Sequence, residues 1–218
     1  MAERALRVRR LGPEPRQARG TVILLHGRGA TAESILSLVP LLDQPDLAWL
    51  APQAPGGSWY PQSFLAPFAA NEPFLSSSLE GVAELAAGLE AQEVPPESIA
   101  FAGFSQGACL ATEVLARGGR RRGGLVAFTG GLIGPPGGLR SYSGDLAGTP
   151  AFLGAGDPDP HVPRARVEES AALLAALGAQ VTLRIYPGIG HTVTDEELAE
   201  ARGLLAGLGV SVRAGGRT

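Results

Sequence analysis

The amino-acid sequence predicts an α/β fold, an open and mostly parallel β-sheet with helices on both faces. Two observations lead to this prediction. Short apolar runs alternate along the chain with amphipathic stretches, an order that is typical of strands joined by helices. Each apolar run also ends in Gly or Pro, which favours a loop directly after each strand.

Six apolar runs are predicted as strands. The first, TVILL at 21–25, is apolar throughout, which is typical of a parallel strand buried on both faces. The other five lie at 47–52, 98–103, 124–130, 150–156 and 181–187. Near the start of the chain, ALRVRRL alternates apolar and basic residues, which favours an antiparallel strand at the sheet edge.

Five stretches are predicted as helices, four of them at 31–42, 75–90, 167–177 and 195–205 and the fifth, ACLATEVLA, at 108–116. Those at 75–90 and 167–177 repeat apolar residues at spacings of three and four. Thr31 is expected to cap the first helix, and Thr194 with Glu197 forms a capping box for the last.

Composition excludes several function classes. All 18 basic residues are Arg, and without Lys there is no Schiff-base chemistry, no pyridoxal phosphate site and no phosphate loop of the GK[ST] type. One Cys and three His fall short of a structural zinc site. The net charge of −3 gives no electrostatic reason to expect a nucleic-acid partner.

Length and hydropathy suggest a cytoplasmic protein of one domain. No repeat or second apolar set indicates another domain, so residues 1–218 are expected to form a single unit, with a frayed tail at about 212–218. No apolar run approaches the ~20 residues of a membrane helix, and no secretory signal is visible. We therefore expect a cytoplasmic location and no integral membrane association.

The strongest local signal is the G-x-S-x-G sequence from Gly103 to Gly107, which places Ser105 between an apolar strand and a helix. This arrangement is typical of a nucleophile elbow, a tight turn that exposes the serine hydroxyl at the carboxyl end of the sheet. Only small residues two positions before and after the serine let the backbones pass. The alternative is a glycine-rich turn with an incidental serine.

A serine hydroxyl needs a base to become an effective nucleophile. His191 lies in a glycine-rich loop between the last apolar run and the last helix, where that base is expected. The acid that orients the base should follow the run at 150–156. Both Asp157 and Asp159 occur there, and spacing alone does not choose between them.

Acyl transfer also needs hydrogen-bond donors for the oxyanion. The backbone N–H of Gln106, directly after the serine, is expected to be one, and that of Arg28 in the H-G-R-G loop the other. A plain glycine turn is the alternative for that loop. His26 is expected to form hydrogen bonds that shape the same loop, whereas His161 lies too close to the acid to act as the base but could contact substrate.

The irregular stretch at 53–73 is rich in aromatic residues. Loops of this length in a compact domain are usually functional or disordered, and the aromatic content argues against disorder. Trp59, Tyr60 and Phe64 are predicted to line a substrate pocket, and the alternative that they only pack beneath their loop stays open. The apolar residues from Phe64 onward could form either part of this pocket or the interface of a homodimer, and the sequence does not decide between the two.

Four segments, LLHGRGA, GFSQGA, GDPDPHVP and GIGH, together resemble the phospholipase/carboxylesterase family of α/β-hydrolases, which includes the acyl-protein thioesterases. The likeness implies an α/β-hydrolase fold without a large cap domain, with no metal and no cofactor. The family's acid lies in a D-P-x-V-P segment, so the resemblance implies Asp159 as the acid, beside Ser105 as nucleophile and His191 as base. SWYPQSFLAP at 58–67 resembles a bacterial branch of the family.

The predicted function is a serine carboxylic-ester hydrolase, a carboxylesterase or lysophospholipase-like enzyme that forms an acyl-enzyme from a small-molecule or lipid ester. An acyl thioesterase or an acyltransferase would use the same three residues, and the sequence does not distinguish them. A binding module without turnover is a further alternative, although the sequence lacks no member of the triad.

Overall fold

A computed structural model of the chain describes residues 6–210. Its strands are β1 (Arg7–Leu11), β2 (Gly20–Leu25), β3 (Leu47–Gln53), β4 (Ile99–Phe104), β5 (Gly124–Phe128), β6 (Pro150–Asp157) and β7 (Gln180–Pro187). They form one sheet in the order β1-β3-β2-β4-β5-β6-β7. β1 pairs antiparallel with β3 and every other pair is parallel. The predicted mostly parallel sheet is confirmed, with its antiparallel strand at the edge.

Helices cover both faces of this sheet, as predicted. They are α1 (Ala32–Leu36), α2 (Val39–Leu42), α3 (Phe74–Glu90), α4 (Gln106–Gly118), α5 (Arg164–Ala176) and α6 (Asp195–Ala206). Apolar side chains of α1, α2 and α6 pack on one face, and those of α3, α4 and α5 pack on the other. Within residues 6–210 no separate cap domain covers the sheet.

The single helix predicted over 31–42 is wrong, because the structure divides it into α1 and α2. Thr31 does cap α1, where its side chain accepts a hydrogen bond from the backbone N–H of Ser34. Pro40 stands in the first turn of α2. Proline has no N–H to donate, and in a continuous helix its ring would clash with the carbonyl four residues earlier, so the first helix ends before Pro40 and a new one starts at Val39.

The order of the strands decides where the loops meet. β2, β4, β6 and β7 run parallel, so their carboxyl ends lie at the same edge of the sheet. In open α/β sheets ligands bind at that edge. The segments that directly follow these four strands carry all five residues predicted for the chemistry.

Two long loops connect at the same end of the molecule. One, at 54–73, contains short 3₁₀ turns at Pro55–Gly57 and Phe68–Asn71. The other, at 129–149, joins β5 to β6. The backbone N–H of Gly134 in the second loop donates to the carbonyl of Phe64 in the first at 2.8 Å, so the two loops support each other.

None of the helices within residues 6–210 has both the length and the apolar character needed to cross a bilayer. The frayed tail predicted at about 212–218 lies outside the described residues. The single domain predicted over residues 1–218 includes those residues too, and it stays a prediction.

Candidate active site

Ser105 lies on a sharp turn between β4 and α4, with φ 56° and ψ −120°. A non-glycine residue with positive φ is strained, and such strain is stored at functional sites. The flanking glycines allow the turn. A Cβ atom on Gly107 would lie 2.1 Å from the carbonyl oxygen of Leu25, and one on Gly103 would lie 2.5 Å from the backbone of Gly107. The chains can therefore cross only without side chains at these two positions.

His191 connects the serine to a carboxylate. Its Nε2 lies 2.8 Å from the Oγ of Ser105, and its Nδ1 lies 2.7 Å from the Oδ2 of Asp159. The ionised carboxylate can only accept, so Nδ1 carries the proton and Nε2 is left to accept the hydrogen bond that the serine hydroxyl donates. The structure thus brings together the three side chains predicted for the triad.

Asp159 is held in a buried position by the backbone. Its Oδ1 accepts hydrogen bonds from the N–H of His161 at 2.7 Å and of Val162 at 2.9 Å. Burial works to raise the pKa of this carboxyl, but the hydrogen bonds from Val162, His161 and His191 outweigh it and the pKa is lowered. Asp159 is therefore a carboxylate at neutral pH.

Asp157, the other acid that spacing alone left open, lies elsewhere. It ends β6, and its carboxylate lies 3.6 Å from the guanidinium of Arg164, with 42% of the side chain exposed. Among the described residues its side chain forms no hydrogen bond or ion pair with His191. The acid that reaches the base is the one in the D-P-x-V-P segment.

The two predicted oxyanion donors flank the serine. Gln106 is the first residue of α4, so its N–H has no partner within the helix. Within residues 6–210 neither this N–H nor that of Arg28 donates to another loop or to a side chain. Gly27 brings the second loop close, since a Cβ atom there would lie 3.6 Å from the Cβ of Ser105.

The side chain of Gln106 has a further role that the sequence did not indicate. Its Oε1 accepts from the N–H of Trp59 at 3.0 Å, and its Nε2 donates to the carbonyl of Tyr60 at 2.8 Å. The guanidinium of Arg28 donates to the carbonyl of Pro61 at 2.7 Å and to that of Gln62. Both donor residues therefore fasten the same loop, at 58–62. No local sequence signal marks these contacts, because they join residues at least 30 positions apart.

The three predicted pocket residues divide into two groups. Tyr60 and Phe64 line a groove of about 490 Å³ beside the serine. Trp59 does not line it: the ring is buried, and its Nε1 donates to the carbonyl of His26 at 2.8 Å. Trp59 thus packs beneath its loop, the alternative that the sequence left open, and contact of this residue with substrate stays a prediction.

The remaining histidines have different surroundings. His26 is fully buried, and its Nε2 accepts from the N–H of Ala54 at 3.1 Å. Burial lowers its pKa, so it stays neutral and fixes the loop, as expected. His161 is exposed at the groove, with its ring edge-to-face on that of His191 at 4.9 Å between centroids.

Cys109 also lines the groove, one helical turn after Ser105. Burial raises the pKa of its thiol to about 12, so the thiol stays protonated and is a weak nucleophile. No cluster of His, Cys, Asp and Glu within the described residues has the arrangement to hold a metal ion.

Known proteins are similar to this chain in sequence and in fold. The model of the Phospholipase/Carboxylesterase family matches residues 11–207. The crystal structure of a phospholipase/carboxylesterase from Dyadobacter fermentans superposes with a TM-score of 0.88 at 44% identity, over 94% of this chain and 99% of that one. A probable carboxylesterase of rice (Oryza sativa subsp. japonica) is 30% identical over 82% of this chain and 84% of its own length. Acyl-protein thioesterase 1 of Saccharomyces cerevisiae is 28% identical over 88% and 93%.

Proposed function

Since the chain belongs to the phospholipase/carboxylesterase family and is a hydrolase of the carboxylesterase type, we propose that it hydrolyses carboxylic esters through Ser105, His191 and Asp159. The observation that carries the proposal is the pair of contacts made by one imidazole, 2.8 Å to the serine and 2.7 Å to the carboxylate. This is the geometry that a base needs in order to remove the hydroxyl proton while its other nitrogen is held in place.

In the first half of the reaction, Ser105 Oγ attacks the acyl carbonyl while its proton passes to Nε2 of His191. The carbonyl oxygen gains negative charge and is stabilised by the N–H groups of Arg28 and Gln106. The carboxylate of Asp159 stabilises the imidazolium that forms. The imidazolium then gives its proton to the departing alcohol, which leaves an acyl-enzyme on the serine.

The second half releases the acid. A water molecule gives a proton to Nε2 of His191 and attacks the acyl carbonyl, and the same two N–H groups stabilise the oxyanion again. As the tetrahedral intermediate collapses, the proton returns to Ser105 and the carboxylic acid departs. Water is the acceptor in a hydrolase, whereas an acyltransferase would use another alcohol or thiol at this step.

The groove favours esters of modest size. Its volume of about 490 Å³ is within the range of about 300–1,000 Å³ that is usual for small-molecule sites. We propose that Tyr60 and Phe64 form the apolar wall against which the acyl or aryl part of the substrate packs. A thioester presents the same carbonyl, and the similarity to a yeast acyl-protein thioesterase makes thioesters the second substrate class to test.

The triad is tested with the Ser105→Ala variant. We expect turnover of 4-nitrophenyl esters to fall at least about a thousandfold, with an unchanged far-UV circular dichroism spectrum, and labelling by a fluorophosphonate probe to disappear. Ser77→Ala, at an exposed position of α3, is the matched control and should keep full activity and labelling. Wild-type-like turnover by Ser105→Ala would overturn the proposal.

A panel of 4-nitrophenyl esters of graded acyl length, run beside matched thioesters, separates the substrate classes. We expect kcat/KM to be highest for short or medium acyl chains and esters to be turned over faster than thioesters. A clear preference for long-chain thioesters would assign the thioesterase activity instead. The cytoplasmic location and the homodimer that the sequence leaves open stay predictions.

A further inference from the structure

The groove beside Ser105 has an unusual charge distribution. Its lining residues include Arg28, His161 and His191, but no Asp or Glu. The carboxylate of Asp159 lies behind His191 with its side chain fully buried. A substrate that enters the groove therefore meets positive and neutral groups and no exposed carboxylate.

Arg28 itself has no carboxylate partner within residues 6–210. Most of the other arginines there form ion pairs with Asp or Glu, whereas Arg28 bonds only to neutral oxygens. A neutral hydrogen-bond acceptor orients a guanidinium but does not cancel its charge. The side chain thus carries an uncompensated positive charge into the groove.

The guanidinium is held in place rather than free to move. It donates to the carbonyls of Pro61 and Gln62 and to the Oγ of Ser58, and its Cζ lies 5.8 Å from the centre of the Tyr60 ring. Arginine has five N–H donors. Three hydrogen bonds leave two of these donors for a ligand. Because the contacts with the loop already order the side chain, a ligand that binds there would not have to fix it at a further cost in entropy.

The position of Arg28 relates this charge to the reaction. Its backbone N–H is the proposed oxyanion donor, so the guanidinium lies within one arginine side chain of the reacting carbonyl. An anionic group that reaches it must therefore belong to the same ester, a few atoms from the carbonyl.

We propose that the Arg28 side chain forms an anion subsite and that the preferred substrates are esters that carry a second, negatively charged group such as a carboxylate. This inference rests on the proposed ester hydrolysis and names the substrate class for that site. Hydrogen bonds from a guanidinium to an oxyanion are stronger than those between neutral groups, so the anionic group should raise kcat/KM.

Two pairs of esters test the proposal, each with a carboxylate and its neutral amide. On the alcohol side they are 4-acetoxybenzoate and 4-acetoxybenzamide, and on the acyl side the monophenyl ester of adipic acid and its ω-amide. In at least one pair we expect wild-type kcat/KM to be about tenfold to a hundredfold higher for the anion. The pair that shows the preference tells which side of the ester faces Arg28. Added salt should reduce the preference, because it screens charge.

The variants keep the backbone N–H of Arg28 and change only its side chain. Arg28→Met should abolish the preference, and Arg28→Lys should retain part of it, since it keeps the charge without the planar fork. Arg140→Gln is the matched control, because that arginine lies over the ring of Phe68 and does not line the groove. It should leave the ratio within about twofold of wild type.

The neutral esters separate failure of this inference from failure of the proposed function. Equal kcat/KM for anion and amide in both pairs, or a preference that Arg28→Met retains, would overturn the anion subsite while leaving ester hydrolysis in place. If Arg28→Met also loses activity on neutral esters, two other measurements test the anion subsite. They are the ratio of kcat/KM for anion and amide in Arg28→Lys, and the salt dependence of this ratio in wild type. A wild-type ratio that does not change with salt would then count against the subsite.

Discussion

Replacing Asp159 with Asn should stop catalysis by changing which nitrogen of His191 carries the proton. The side-chain oxygen of Asn must stay where it accepts from the N–H groups of His161 and Val162. Its NH₂ group then takes the place of Oδ2 and points a donor at Nδ1 of His191. The imidazole must accept there, so it carries its proton on Nε2 and can no longer accept the proton of Ser105.

The magnitude follows from the contact that is lost. A carboxylate oxygen 2.7 Å from Nδ1 stabilises an imidazolium by about 6 kcal/mol at an effective dielectric constant of ~20. That energy corresponds to about four powers of ten in rate. We therefore expect kcat for a 4-nitrophenyl ester to fall about a thousandfold to ten-thousandfold at neutral pH, with little change in the far-UV spectrum.

Asp157→Asn is the matched control for this experiment. The same chemical change two residues earlier affects only a half-exposed carboxylate 3.6 Å from Arg164, so kcat should stay within about threefold of wild type. The reasoning would be refuted if Asp159→Asn kept more than a tenth of the wild-type kcat, or if Asp157→Asn proved the more damaging substitution.

Three further predictions concern stability, each measured by urea unfolding. Gln106→Ala removes two hydrogen bonds to the 58–62 loop and should lower the free energy of unfolding by about 2 kcal/mol; no change would mean that the loop is held without them. Gly107→Ala would place a Cβ atom 2.1 Å from a backbone oxygen and should destabilise by at least about 3 kcal/mol, whereas Gly118→Ala, with open space around it, should be neutral or stabilising. Burial raises the pKa of Glu197, so its stabilising contribution is present below about pH 4.3 and is lost as pH rises through the folded-state pKa. The unfolding free energy of wild type relative to Glu197→Gln should thus decrease from about pH 4 to pH 7, and an increase would contradict the assignment.

Much of the fold could be read from local patterns. The apolar runs predicted six of the seven strands, and the alternation in ALRVRRL predicted the antiparallel one, β1. These signals are local because a strand or helix is largely selected by the residues within it. The break between α1 and α2 was missed, although Pro40 is itself a sequence signal for it.

Parts of the candidate site could also be predicted from short segments of sequence. The strand, glycines and helix around Ser105 are contiguous, so the elbow could be predicted from one short segment. The choice between Asp157 and Asp159 was not local. Spacing left both open, the family resemblance favoured one, and the loop after β6 turns that one towards His191.

The sequence by itself determined the alternation of strands and helices, the turn that exposes Ser105, and which serine, histidine and carboxylate side chains follow the strands at the edge of the sheet. Only the tertiary structure decided that Trp59 packs below the groove and that Gln106 and Arg28 fasten one loop. It alone also shows that Arg28, which has no carboxylate partner within residues 6–210, lines the same groove as Ser105. The physical reason is that local backbone preference acts over a few residues. Contacts across 30 or more residues exist only after the strands have paired and brought distant loops to the same edge.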